Sequence, residues 1–221
     1  MNTYKNIIAA CSQSGAELVA VSKTKPVEQI MELYDEGQRV FGENKVQELV
    51  EKQAAMPKDI KWHLIGHLQT NKVKYIAPFV DLIHAVDSIK LLKEINKQAV
   101  KNNRIIDILI QIKIAEEESK FGLDIKEAFT LFDAIEQEGY KHVRVRGLMG
   151  MATFTDDKAQ IKTEFESMGT FFQEIKSNLE DSKSKYFTEL SMGMSGDYEL
   201  ALESGSTMIR IGSLLFGARN Y

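Results

Sequence analysis

Apolar residues recur along this chain in two alternating rhythms: short unbroken runs, and stripes spaced three and four residues apart. The first run is Leu18, Val19, Ala20 and Val21. It is bounded by Glu17 and by Ser22-Lys23-Thr24-Lys25-Pro26, and it reads as a buried strand. Pro26 suits the first turn of a helix, and Val27, Ile30, Met31 and Tyr34 then share one helical face. The alternation repeats. Further strands are predicted at 39–44, 60–66, 80–86, 105–114, 143–149, 186–190 and 206–211, each followed by a helical stripe or a short apolar segment. Ser88 is placed to cap the helix that carries Leu91, Leu92, Ile95 and Ala99. Asp124 and Glu127 stand at capping-box spacing ahead of Ala128, Leu131, Phe132 and Ile135. A short amphipathic helix at 3–13, with Tyr4, Ile7, Ile8 and Cys11 in register, precedes the first strand.

Strands that alternate with helices pair in parallel through crossover connections. Eight such units in one stretch predict an α/β chain, a single (β/α)8 TIM barrel with an extra N-terminal helix, as one domain over residues 1–221. An open doubly wound sheet is the alternative. It usually carries a glycine-rich first turn, which Ser22-Lys23-Thr24-Lys25 is not.

Composition narrows the classes of function. A net charge of −4 gives no reason to expect nucleic acid or an anionic membrane as partner. The single cysteine, Cys11, excludes an internal disulfide and the usual structural zinc site. No apolar run is long enough to span a bilayer and no signal-peptide pattern opens the chain, so a cytoplasmic location is expected.

Function in such a barrel gathers where the strands end. There the chain places Lys23, Glu43 and Asn44, His63 and Gly66, Met149-Gly150-Met151, the run from Ser191 to Ser195, and Arg210-Ile211-Gly212-Ser213. Lys23 continues the alternation of Val19 and Val21. On a face turned into the barrel its amine would lie beside apolar surface, and desolvation would lower its pKa as a Schiff-base nucleophile needs. Otherwise it is an ordinary loop lysine. Ser195 is expected to open the seventh helix, as an anion-binding position or simply as an N-cap. Gly212 and Ser213 follow the eighth strand, where barrels often bind phosphate, or Gly212 is simply a bend. Together, opposite a strand-one lysine, these residues describe a site for a phosphorylated aldehyde. His63 reads either as a polar wall of that pocket or as a hydrogen-bonded structural histidine. No metal site is expected, because the spacing of His63 and His67 suits a helix and begins within a strand.

Five segments carry a resemblance: Val21-Ser22-Lys23-Thr24-Lys25-Pro26, Phe41-Gly42-Glu43-Asn44, the run from Trp62 to Lys72, the run from Leu190 to Asp197, and Ile209-Arg210-Ile211-Gly212-Ser213. Over nearly the whole chain the sequence resembles the pyridoxal-phosphate homeostasis proteins, also known as the proline-synthetase co-transcribed bacterial homologue family. The resemblance implies a barrel similar to the N-terminal domain of alanine racemase. It implies pyridoxal 5′-phosphate (PLP) held as a Schiff base on Lys23, phosphate near Ser195, Gly212 and Ser213, Arg210 facing the pyridine nitrogen, and Asn44 at the pocket mouth. His63 and Ser191 complete the set of expected cofactor-binding residues. An arginine is always a cation, and opposite that nitrogen it weakens the electron sink. Racemases of similar fold add an acid/base from a C-terminal domain and a partner subunit, whereas this chain closes at Asn220-Tyr221. The expectation is therefore a monomeric binding protein that buffers or delivers PLP, with apo PLP-dependent enzymes as recipients. A low-efficiency amino-acid racemase is the alternative, and a Schiff-base lyase acting on a sugar phosphate is the third reading.

Overall fold

The computed structural model describes residues 2–115 and 122–217; Asn220 and Tyr221 lie outside the described residues. Helix α1 (Asn2–Ser14) leads into β1 (Glu17–Val21), α2 (Val27–Asp35), β2 (Val40–Glu43), α3 (Val46–Ala55), β3 (Lys61–Leu64) and α4 (Val73–Ile76). Then come β4 (Leu82–Val86), α5 (Ile89–Lys101), β5 (Ile106–Ile112), α6 (Ile125–Glu138), β6 (Val143–Gly150) and α7 (Lys158–Asn178). The chain finishes with α8 (Asp181–Ser184), β7 (Glu189–Ser191), α9 (Tyr198–Glu203), β8 (Met208–Ile211) and α10 (Ser213–Phe216). The eight strands close into a barrel in sequence order, and β8 pairs in parallel with β1. This is the expected (β/α)8 architecture, with α1 as the additional helix.

The two faces of each strand explain the closure. Inward side chains Val19, Val40, Leu82, Ala85, Leu109, Met149 and Met208 pack together inside the barrel. Outward ones such as Phe41, Trp62, Ile83, Ile108 and Leu148 pack against the helices through Leu49, Leu92, Leu131 and Phe165. Tyr4, Ile7 and Cys11 of α1 cover Leu18, Ile209 and Ile211 on the outside of β1 and β8. Burial pushes the Cys11 thiol up to about 11, which leaves it a packed, unreactive side chain.

Local signals act as read at two helices. Ser88 Oγ accepts the Leu91 N–H at 3.3 Å. Asp124 and Glu127 form the reciprocal capping box of α6. Most boundaries differ by one or two residues, and three of the differences bear on the site. The strand expected at 60–66 ends at Leu64. The strand expected at 186–190 spans only Glu189–Ser191, with α8 lying shortly before it. The helix expected from Ser195 begins at Tyr198, because Asp197 Oδ1 accepts the Met194 N–H at 2.5 Å and the Tyr198 N–H returns to the Met194 carbonyl at 2.9 Å. Residues 195–197 are thereby a turn.

Candidate functional site

The C-terminal rim of the barrel is built around the turn that carries Lys23. Strand β1 stops at Val21, and the Lys25 N–H bonds back to the Ser22 carbonyl at 3.1 Å. Strand alternation therefore does not extend to Lys23; the turn, and not the pleat, sets its direction. Lys23 itself is half-buried. Thr24 has φ +63°, a conformation a β-branched residue adopts rarely. Such strain persists only where the surroundings impose it, and here they do. Glu48 Oε1 accepts the Thr24 N–H at 2.5 Å. Lys52 Nζ, from a side chain 7% exposed, donates to the Ser22 carbonyl at 2.8 Å and to Glu43 Oε1 and Glu48 Oε1, each at 2.7 Å. Ser22 Oγ donates to the same Glu43 oxygen at 2.6 Å. Burial pushes the Glu43 carboxyl above its ordinary value, against the opposing pull of Lys52 and Ser22. Lys25 Nζ donates to the Phe216 carbonyl at 2.8 Å, which ties the turn to α10.

Strands β7 and β8 bring the next residues together. Ser195 Oγ accepts the Gly212 N–H at 3.3 Å, so the two expected phosphate-binding loops touch each other. Gly212 is the N-cap of α10, its carbonyl accepting from Leu215 and Phe216 at 3.0 Å, and Ser213 is the first helical residue. The first N–H groups of a helix have no acceptor within it, which suits an anion. Gly193 sits at φ +94°, and a Cβ there would lie 2.6 Å from that of Ala201, so glycine alone allows the β7 exit to press onto α9. Asn44 follows β2 with its backbone against Gly66, where a Cβ would fall 2.5 Å from the Asn44 carbonyl oxygen. The buried Asn44 Oδ1 has no hydrogen-bond partner among the described residues.

Below the rim lies Arg210, 4% exposed. It stands two residues before Gly212, on the same face of the chain. One terminal nitrogen donates to Ser191 Oγ at 2.6 Å and the other to the Gly150 carbonyl at 3.0 Å. Both partners are neutral, and among the described residues no carboxylate lies within ion-pairing distance of Arg210. Burial lowers its pKa to about 10, partly offset by Asp197, so it stays a cation at neutral pH.

His63 is not on the rim. It lies within β3, 2% exposed, and lines a cavity of about 630 Å³ at the opposite, N-terminal mouth together with Lys61, Asp81, Asp107, Arg146 and Glu189. The reason is register: β3 starts at Lys61, and Lys61 and His63 share its inward face. His63 Nδ1 is 3.1 Å from His84 Nε2, the hydrogen-bonded arrangement that stood as the other reading of this residue. Ser191, fully buried, lies between His84 and Arg210. Sequence reasoning did not single out Thr24, Glu48, Lys52 or His84. Lys52 alone left a trace, since it falls three residues after Leu49 on the buried stripe of α3.

The chain matches the family model for alanine racemase, N-terminal domain, over residues 2–220. A pyridoxal phosphate homeostasis protein of Aquifex aeolicus is 40% identical over 223 residues, covering 98% of this chain and 95% of the relative. The chain belongs to the pyridoxal phosphate homeostasis protein family. The family member of Homo sapiens is 40% identical over 215 residues, covering 92% of this chain and 77% of its own length. Among solved structures, PipY of Synechococcus elongatus with PLP bound is 36% identical with a TM-score of 0.81, covering 92% of this chain and 93% of that one.

Proposed function

We propose that this chain is a PLP-binding protein that buffers or delivers the cofactor. The observation that carries the reading is Arg210: a buried guanidinium held only by neutral acceptors, directly beneath a rim of backbone donors and beside the lysine turn. A buried cation without an ion-pair partner favours an anionic, electron-rich ligand. The bare Asn44 Oδ1 and the close-packed glycines around the rim fit a ligand that is held partly by backbone. PLP-bound PipY supports the choice among phosphorylated aldehydes.

In this reading Lys23 holds the aldehyde, and Ser195, Gly212 and Ser213 bind the phosphate. Arg210 meets the pyridine ring, and Asn44 bounds the mouth. Ser191 and His63 act from behind Arg210 and not on the cofactor itself. When bound, PLP supplies an aldehyde that condenses with amines and a ring that stabilises negative charge. Arg210 can donate hydrogen bonds but has no acceptor, so it gives ring protonation no support. A weak electron sink suits holding the cofactor more than turning over amino acids. The recipients are apo PLP-dependent enzymes, and the holder acts as a monomer in the cytoplasm.

The test uses the purified protein loaded with PLP. Borohydride reduction followed by peptide mapping should place the pyridoxyl group on Lys23. Bound cofactor should pass to an apo-enzyme in the presence of a free-PLP trap, and chiral chromatography should show amino-acid racemisation far below about 1 s⁻¹. Racemisation at ordinary enzymatic rates would replace this reading with the racemase.

A further inference from the structure

Behind the rim, five side chains form one continuous polar line through the barrel. Arg210 of β8 donates to Ser191 Oγ of β7 at 2.6 Å. Ser191 Oγ lies 3.1 Å from His84 Nδ1 of β4, on the far side of the lumen. His84 Nε2 lies 3.1 Å from His63 Nδ1 of β3. His63 Nε2 lies 3.6 Å from Asp81 Oδ2, at the N-terminal mouth. Ser191 and His84 are fully buried, and His63 is nearly so.

The protons on this line can be assigned from hydrogen-bonding capacity. Arginine only donates, so Ser191 Oγ accepts from it, and its own hydrogen goes to His84 Nδ1. His84 then carries its proton on Nε2 and donates to His63 Nδ1, and His63 Nε2–H faces the Asp81 carboxylate. The reverse direction fails twice. It leaves the buried Ser191 hydroxyl hydrogen with no acceptor, and it sets the bare lone pair of His63 Nε2 against a carboxylate. Burial, with His63 and Arg210 adding to it, holds His84 well below its ordinary value of 6.5, so it keeps a single proton. The neighbouring His63 imidazole holds the Asp81 carboxyl below its ordinary value, so it stays an anion.

We propose that Ser191, His84 and His63 are positioning residues: a one-way hydrogen-bond line, with Asp81 facing its far end, that fixes the orientation of Arg210 and determines which of its N–H groups remain for a ligand in the rim site. The proposal deepens the PLP reading and rests on it for the identity of that ligand. The line itself is a property of the chain alone. Besides Asp81, the charged groups lining the cavity beside His63 are Glu17, Lys61, Asp107, Arg146 and Glu189.

The first test needs no cofactor. Long-range ¹⁵N–¹H correlation spectra of the apo-protein should show His84 as the neutral Nε2–H tautomer; an Nδ1–H tautomer would overturn the line. The second test uses two variant pairs and the PLP-loaded protein. Ser191→Ala should weaken PLP binding about tenfold, move the pH midpoint of the visible band and mix the tautomers of His84, while Ser191→Thr restores all three. His63→Leu, two residues removed from Arg210, should move the same readouts in the same direction by a smaller amount. His63→Asn, whose Oδ1 can accept from His84, should restore them. If His63→Leu lowers the melting temperature but leaves both the band's pH midpoint and the His84 tautomer unchanged, the line is packing only. If wild-type protein shows the Nε2–H tautomer yet gives no visible band with PLP, the cofactor reading fails while the line stands.

Discussion

The two mouths of the barrel solve opposite problems. At the N-terminal mouth Asp107 and Glu189 are matched by cations. Asp107 receives Arg144 and Arg146 at 2.7 to 3.0 Å, and Arg146 also reaches Glu189 at 2.9 Å. At the C-terminal rim the polar groups are left over. Asn44 Oδ1 and Glu43 Oε2 are buried without partners among the described residues, Arg210 has only neutral acceptors, and Thr24 is held in a strained conformation. The first mouth is arranged for folding. The second keeps capacity in reserve, which is what a ligand site requires, and the division follows the general asymmetry of (β/α)8 barrels.

The strongest way to break this contrast is Lys23→Ala. It should abolish the visible band of PLP-loaded protein; a band of unchanged intensity would take Lys23 out of the site. Lys25→Ala should keep the band; a band that follows Lys25 would move the site to the other lysine of the turn. The converse change is Asp107→Ala. It strips two half-buried arginines of their shared partner and should lower stability by about 2 kcal/mol, roughly 4–8 °C in Tm, with PLP affinity unchanged. A loss of affinity of equal size would show that the two mouths are not separable. Third, pyridoxal should bind at least about tenfold more weakly than PLP, since charge-assisted hydrogen bonds to phosphate are lost. Equal affinities measured by visible titration would remove the phosphate from Ser195, Gly212 and Ser213.

The smallest effect concerns Glu43. Its folded-state value is raised above 4.5, so folding favours the protonated form. Its contribution to stability is present in full below about pH 4.5 and is lost as pH rises through the elevated value. Glu43→Gln should flatten that fall, seen as a shallower change in denaturation midpoint between about pH 4 and pH 8. A steeper fall in the variant would mean that the Lys52 contact outweighs burial.

Most of the fold was legible because each unit announces itself locally. The Leu18 to Val21 run, the Ser88 cap and the Asp124–Glu127 capping box are signals contained in a few residues. The rim candidates Lys23, Ser195, Gly212 and Arg210 were legible from position, because barrels collect chemistry after their strands. What stayed hidden is tertiary. Glu48 meets Thr24 across 24 residues of chain, and Ser191 meets His84 across 107. The pairing of β4 with β5 shifts register between Ile83 and Val86, so that Ala85 faces inward as well as Leu82, and the strand shows no clean alternation to mark which face His84 takes. The helix expected from Ser195 starts later because the Met194 N–H donates to the Asp197 carboxylate, three residues on, and this local turn competes with helix initiation.

The anchored turn at Lys23 has a consequence for selectivity among amines. The chain bears many lysines, and any of their amines can condense with an aldehyde. Lys23 differs in where its backbone is held. The Glu48 and Lys52 contacts and the Lys25 tie to Phe216 hold the backbone of the loop, which narrows the volume its amine samples. If the Gly212 turn seats the phosphate as proposed, the aldehyde meets this amine at an effective concentration that lysines elsewhere on the surface lack. Discrimination between lysines then needs no difference in their intrinsic reactivity, and any change that frees the turn should spread the same chemistry over the surface.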